Sequence, residues 1–185
     1  MRKSLNYELI KSELIPLDAP IEEIPGLKLG TVLIPIFPNS NQIMFTKRSN
    51  KMKNHPGQIS FPGGAVEEGE TIIEACLRET NEEVGIINKK IKLLGRLPPL
   101  KTSSNFFVYP IVGLVESDVK IKINPDEVEK VFFVQIEELL DDNNKIVETE
   151  LNISKTYYLA GNYTIWGVTA QILEELFSKI NELEN

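Results

Sequence analysis

Three glutamates, Glu79, Glu82 and Glu83, occupy five consecutive positions within the stretch "GGAVEEGETIIEACLRETNEEVGI" that runs from Gly63 to Ile86. On a helix, at about 100° per residue, these carboxylates fall within one arc of about 100°. Like charges three or four residues apart cost about 0.2–0.5 kcal/mol per pair in an isolated helix. A hard divalent cation, Mg2+ or Mn2+, reverses that sign, because such ions take oxygen donors. A cation held there could polarise a phosphoryl oxygen and lower the pKa of a bound water. An acidic face bathed in solvent is the alternative without chemistry.

The element that must carry the glutamates is legible at both ends. Thr71 followed by Glu74 forms a T-x-x-E capping box, and Gly85 is a natural stop after Val84, which predicts a helix over about Ile72–Val84. Ile73, Cys76, Leu77, Thr80 and Val84 share the stripe expected to be buried. Cys76 is the only cysteine, so it forms no internal disulfide, and its place on that stripe makes it a small core residue.

The spacing around the helix is specific. Gly64, five residues, Glu70, seven residues, Arg78-Glu79, then Glu82-Glu83 and Gly85-Ile86 resembles the Nudix box, G-x5-E-x7-R-E-U-x-E-E-x-G-U with U aliphatic. Seven fixed letters, each at a background frequency of roughly 0.07, coincide by chance on the order of once in 10⁸ start positions. Thr80 departs at the first U position, where a branched side chain of similar size can still pack. The resemblance implies an α+β fold, a Nudix-type α/β/α sandwich with a mixed β-sheet, and hydrolysis of a diphosphate linked to a nucleoside with Mg2+ or Mn2+. It implies Glu79 and Glu83 as principal metal ligands and the carbonyl of Gly64 as a further one. Glu82 is the preferred base or second-metal ligand; relatives differ in which carboxylate serves as base. Glu70 and Arg78 are expected to pair and brace the loop onto the helix.

Immediately upstream, "TKRSNKMKNHPGQISFPGG" resembles the extra motif of the coenzyme A pyrophosphatase branch, L-L-T-x-R-S/A-x3-R-x3-G-x3-F-P-G-G. Thr46, Arg48, Ser49, Gly57, Phe61, Pro62, Gly63 and Gly64 match in order. Met44 and Phe45 replace the leucine pair, and Lys53 replaces the arginine, keeping the charge but losing the bidentate fork for phosphate. "NPDEVEKVFFVQIEELLD" and "YTIWGVTAQIL" extend the likeness from about Thr31 to Leu173. The implied reaction cleaves the diphosphate of coenzyme A into adenosine 3′,5′-bisphosphate and 4′-phosphopantetheine. Arg48, Lys51, Lys53 and His55 are the candidate substrate-binding residues, with the three basic ones expected to meet the 3′-phosphate. Glu127 is a candidate extra carboxylate or else a solvated one. Tyr163, Ile165 and Trp166 either line an adenine or pantetheine pocket or, for Trp166, anchor the last helix in the core. Two alternatives stand beside this reading: a Nudix hydrolase of another nucleoside diphosphate derivative, such as ADP-ribose or a dinucleotide, and a non-catalytic nucleotide-sensing module. The second ranks last, because all the box glutamates are present.

Composition narrows the setting. With 185 residues, 42% hydrophobic and 25% charged, the chain has the make-up of one globular domain. A net charge of −7 argues against nucleic acid as partner. From Ile24 to Val66 there is no acid, while Lys28, Lys47, Arg48, Lys51 and Lys53 lie there; from Glu67 to Glu83 seven acids stand against one arginine. That switch suits a phosphorylated small molecule between a basic wall and an acidic one. No apolar run reaches the 18 or so residues of a membrane span, and the start has no apolar secretory core, so no membrane partner and a cytoplasmic location are expected, as monomer or homodimer.

Residues 1–30 are expected as an N-terminal extension packed on a Nudix domain of residues 31–185. The extension begins with a short helix to about Leu14. "TVLIPIF" and "QIMFTKRS" read as a strand pair about a "PNSN" turn, with Pro35 suggesting an edge or bulge. "IKLLGRLPPLKT", "NFFVYPIVGLVE", "KIKI", "VEKVFFVQ" and "NKIVETELNI" read as strands. Val168, Ile172, Leu173, Leu176 and Ile180 keep helical spacing in the last segment.

Overall fold

The computed structural model describes residues 5–150 and 153–182. Its spine is β1 (Lys28–Phe37), which turns at Asn41 into the antiparallel β2 (Gln42–Arg48). Asn41 has φ 53°, a left-handed value that asparagine tolerates better than most residues. On its other side β1 runs parallel to β7 (Phe106–Val115), in unbroken register from Lys28 opposite Phe106 to Ile36 opposite Leu114. With β3 (Ile59–Ser60) and β5 (Ile91–Arg96), the strand order is β3-β2-β1-β7-β5. Three further strands join this mixed sheet: β4 (Gly63–Ala65) on β1, β6 (Leu100–Lys101) on β7, and β8 (Val128–Gln135) on β2.

Pro35 lies mid-sheet, neither on an edge strand nor at a bulge. Leu33 donates to Pro62 O and Leu29 accepts from Val66 N, so odd-numbered backbone groups of β1 face β4. The β4 ladder ends at Val32 and the β2 ladder begins at Ile36. Pro35 therefore sits where β1 changes partners, and its missing N–H leaves no gap in either ladder.

Helices cover both faces. α2 (Ile72–Val84) packs Ile72 and Cys76 on Leu33, Tyr109 and Ile111, and Val84 on Met44 and Val115. The opposite face carries α1 (Tyr7–Glu13) and α4 (Gly167–Glu182), with Ile172, Leu173, Leu176 and Ile180 buried in one cluster with Ile34, Ile36, Ile43 and Phe45. The fold is thus α+β, an α/β/α sandwich. After α3 (Ile136–Leu140), a second sheet of order β11-β10-β9 is formed by β9 (Lys145–Glu150), β10 (Ile153–Ala160) and β11 (Tyr163–Ile165). "NKIVETELNI" is thus split between two strands, and its Leu151 and Asn152 lie outside the described residues.

"KIKI" forms no strand. Lys122 N–H donates to Val84 O and Asn124 N–H to Glu83 O, both at 2.9 Å, so the segment satisfies carbonyls at the end of α2 that the helix itself leaves open. Ahead of β1, which begins at Lys28, the chain straps across the sheet: Ile15 bridges Arg96, whose guanidinium reaches Pro20 O at 2.9 Å, and Tyr109 Oη donates to Glu22 O at 2.6 Å. Among the described residues no helix is long and apolar enough to cross a membrane.

Candidate active site

The caps of α2 are formed by the residues that announced them. Glu74 N–H donates to Thr71 Oγ1 at 3.2 Å, Thr71 N–H donates to Glu74 Oε2 at 2.9 Å, and Gly85 closes the helix with φ 74°. The buried face is turned from the expected stripe: Ile72, Ala75, Cys76, Thr80, Glu83 and Val84 are inside, whereas Ile73 and Leu77 are half-buried. The cause is β4, whose Gly63-Gly64 pair presents no side chains and lets α2 settle on its Glu79–Glu83 side. Thr80 is fully buried, and its hydroxyl donates to Cys76 O at 2.7 Å within the helix. Burial pushes the Cys76 thiol up to about 12, so it is inert.

The three box glutamates do not converge as a trio. Glu79 lies directly over Gly64, where a Cβ would fall 2.5 Å from its Oε1. Glu83 is 4% exposed and accepts from Gly63 N–H at 3.3 Å. Glu82 turns outward with a side chain 52% exposed, and its Oε2 accepts from Arg78 Nη1 at 3.1 Å. Among the described residues, no three His, Cys, Asp or Glu side chains form a ready cation cage. The Gly64 carbonyl, expected as a further ligand, takes part in the β4 ladder. Leu33 donating to Pro62 O and Val66 donating to Leu29 O set the parity of β4, which turns the Gly64 backbone groups toward Thr31 in the ladder. The backbone that reaches a box glutamate belongs to Gly63.

Glu70 and Arg78 do pair, bidentately: Nε to Oε1 at 2.8 Å and Nη2 to Oε2 at 3.0 Å. The same guanidinium also donates to Glu79 Oε1 at 2.8 Å and Ala65 O at 3.1 Å, so one arginine ties the loop, β4 and two box glutamates together. Its hydrogen bonds hold the Glu70 carboxyl below the ordinary range and raise the guanidinium pKa.

Burial pushes Glu83 up to about 8; Glu79 and Glu127 add to the rise, while Arg48 and the Gly63 N–H oppose it. Burial also raises Glu79, with Arg78 opposing and Glu82 and Glu127 adding. Glu127 is thus within electrostatic reach of both. It heads β8, its carbonyl accepting from Ser49 N–H at 2.8 Å. Arg48, opposite Val128, shares the α2-facing side of β2 with Met44 and Thr46, and its Nε is buried without a hydrogen-bond partner among the described residues. Two-residue alternation from the core residue Met44 was the signal that could have assigned Arg48 to this side.

The remaining candidates lie further out. Lys51 pairs with Asp126 at 2.9 Å and the neighbouring Lys47 with Glu129 at 2.7 Å, so acids at the start of β8 neutralise part of the expected basic wall. Lys53 and His55 are exposed, the latter at φ 56°. Tyr163 stacks on Phe132 with centroids 4.0 Å apart. Ile165 is fully buried, and Trp166, 47% exposed, is no core anchor.

The NUDIX domain profile matches residues 27–153. The chain belongs to the Nudix hydrolase family. Its Nudix relatives include an uncharacterised Nudix hydrolase, NudL, of Photorhabdus laumondii, 35% identical over 160 residues covering 82% of this chain and 84% of that one. Another NudL, of Pectobacterium atrosepticum, is 35% identical over 163 residues, 83% of each chain. Among solved structures, the MutT protein of Methanosarcina mazei superposes with TM-score 0.58 at 16% identity, covering 88% of this chain and 99% of that one. A C. elegans Ap4A hydrolase binary complex gives TM-score 0.55 at 13% identity, covering 84% and 95%. This Nudix protein is accordingly a pyrophosphohydrolase of nucleoside diphosphate derivatives, in a family that generally uses divalent metal ions. Its residues fit such an ion. Gly64 leaves open the space over which the Glu79 carboxylate lies, and Glu83 is a buried carboxylate with one long backbone donor and, among the described residues, no cation in direct contact.

Proposed function

We propose that this Nudix hydrolase cleaves the diphosphate of coenzyme A or its derivatives, giving adenosine 3′,5′-bisphosphate and 4′-phosphopantetheine. The observation that carries the reading is that Arg48, from the motif upstream of the box, bears electrostatically on the box residue Glu83. This supports the two sequence signatures serving one site. Glu79 and Glu83, beside the backbone of Gly63, are the residues that would hold Mg2+ or Mn2+. When bound, the ion supplies charge neutralisation at the diphosphate and a water of lowered pKa.

The chain's own groups do the rest. Arg78 holds Glu79 by one oxygen, and the other has no hydrogen bond among the described residues. Burial around Glu83 excludes water from the side of the site facing β4. Arg48 supplies a fixed positive charge to the phosphate oxygens, as guanidinium does best. Glu127, outside the box yet within reach of both buried glutamates, competes with Glu82 as proton acceptor. Its position favours it, because Glu82 is held outward on Arg78.

Neutralisation of Lys47 and Lys51 by Glu129 and Asp126 favours a second reading, a substrate without an outlying phosphate, such as ADP-ribose or a dinucleotide. A panel of coenzyme A, dephospho-coenzyme A, ADP-ribose and diadenosine polyphosphates, each with Mg2+ and Mn2+ and with products identified by mass, decides between them. Preference for coenzyme A is expected, and preference for ADP-ribose overturns the first reading.

A further inference from the structure

Asn124 opens the stretch "NPDEV", with an asparagine at the first position of a turn and a proline at the second. Each favours the turn for its own reason: the asparagine side chain accepts from the N–H two residues on, and the proline ring presets φ. The structure forms that turn. Asp126 N–H donates to Asn124 Oδ1 at 3.2 Å, and the Glu127 and Val128 N–H groups donate to Asn124 O at 3.1 and 2.8 Å. The Asn124 N–H points the other way, to Glu83 O at 2.9 Å. One residue thus uses its N–H, its C=O and its side-chain oxygen to tie the last turn of α2 to the head of β8. The splint lies tight against the helix end, where a Cβ on Gly85 would fall 3.0 Å from both Cβ and O of Lys122. Beyond it, Glu127 O accepts from Ser49 N–H at 2.8 Å, so both backbone polar groups of Glu127 are held, one by the turn and one by the end of β2. The half-buried Glu127 side chain therefore departs from a fixed Cα.

We infer that Asn124 is a positioning residue for the reaction: its turn fixes where the Glu127 carboxylate stands relative to Glu79 and Glu83. The inference rests on the reading of Glu127 as proton acceptor and is independent of which nucleoside the substrate carries. A proton acceptor must stand within about 2.6–3.2 Å of the group it deprotonates, and an error of about 1 Å costs on the order of 10²-fold in rate. Truncating the Asn124 side chain removes the acceptor for the Asp126 N–H but leaves the backbone bonds. The turn then loosens rather than opens, and the Glu127 carboxylate strays from its place while the layers of the sandwich stay packed.

The test measures kcat, KM and melting temperature with Mg2+, on whichever substrate of the panel is cleaved fastest, for the wild type, Asn124→Ala, Asn124→Ser, Glu127→Gln and the double variant Asn124→Ala/Glu127→Gln. Glu127→Gln is expected to lower kcat about 10²-fold or more. Asn124→Ala is expected to lower kcat about 10-fold, with KM within about twofold and the melting temperature within about 3 °C of the wild type. Asn124→Ser, whose hydroxyl accepts the same bond more weakly, should recover part of the loss. In the Glu127→Gln background the Asn124→Ala change should alter the residual kcat less than about twofold, because no carboxylate is left to place. An equal loss in both backgrounds overturns the inference, as does a wild-type kcat in Asn124→Ala. A loss that tracks the fraction of unfolded protein, with Asn124→Ser no better, also overturns it. A wild-type kcat in Glu127→Gln instead removes Glu127 as proton acceptor, and the inference with it, while leaving the diphosphate reaction in place.

Discussion

A Cβ built on Gly64 would lie 2.5 Å from Oε1 of Glu79, closer than any two such atoms can stand. The glycine is thus the floor on which the carboxylate rests. Gly64→Ala is expected to push the carboxylate aside, lowering kcat by about 10²-fold or more while changing stability by no more than about 1 kcal/mol, because the colliding group is the mobile end of a side chain. Steady-state kinetics beside a thermal melt check both halves. Gly63→Ala should behave differently: φ is 154° and the new Cβ would sit 2.2 Å from the backbone oxygen of Thr31, so loss of folding is expected.

Glu83→Gln, nearly isosteric, should fold and lose several orders of magnitude in turnover at saturating Mg2+ or Mn2+, because a neutral amide replaces an ionic ligand. Near-wild-type turnover would remove Glu83 from the metal site.

The raised Glu83 pKa predicts how the metal-free protein responds to pH. Its folded value is about 8, above the ordinary carboxylate value of about 4.3, so between them the folded state holds a proton that the unfolded state has lost. Stability from this group is therefore highest below about pH 4.3 and declines as pH rises toward 8. Denaturant titrations of the chelator-treated protein from pH 5 to 8 should show this decline, and Glu83→Gln should reduce it. Added Mg2+ at pH 8 should raise stability in the wild type more than in the variant.

Arg78 and Glu70 should couple. Both side chains are mostly buried, the contact is bidentate, and the arginine also holds Glu79 and Glu82. A double-mutant cycle on stability is expected to give an interaction of roughly 0.5–3 kcal/mol, and additive single effects would show that the pair contributes nothing as a unit. Glu70→Gln should also lower kcat, since Glu79 shares its anchor.

Thr80→Val should be nearly silent. Among the described residues the Thr80 hydroxyl bonds only to Cys76 O within α2, a carbonyl already in the helical ladder, so activity within about twofold and stability within about 1 kcal/mol are expected.

Local chemistry was readable where one short segment determines the outcome. The ends of α2 follow from Thr71, Glu74 and Gly85, and the strand pair around Asn41 from its turn residues. What sequence could not supply was the angle at which α2 meets β4. A helical wheel makes Glu79, Glu82 and Glu83 equivalent, but the two bare glycines draw the first and last inward and leave Glu82 to Arg78. "KIKI" alternates as a strand should, yet open carbonyls at the end of α2 claim the N–H groups of Lys122 and of Asn124 just after it. The charges of Lys47 and Lys51 are answered by Glu129 and Asp126, some 75 to 82 residues away, a pairing that only the β2–β8 register reveals.

The bond from Asn124 N–H to Glu83 O has a mechanical meaning. Glu127 and Val128 both donate back to Asn124 O, at 3.1 and 2.8 Å, so a single tight turn spans from the backbone of Glu83 to Glu127. The two carboxylates are the jaws of a calliper whose hinge is that turn. Their backbones are joined through that turn by a handful of hydrogen bonds, a link that does not run through the packing of sheet on helix.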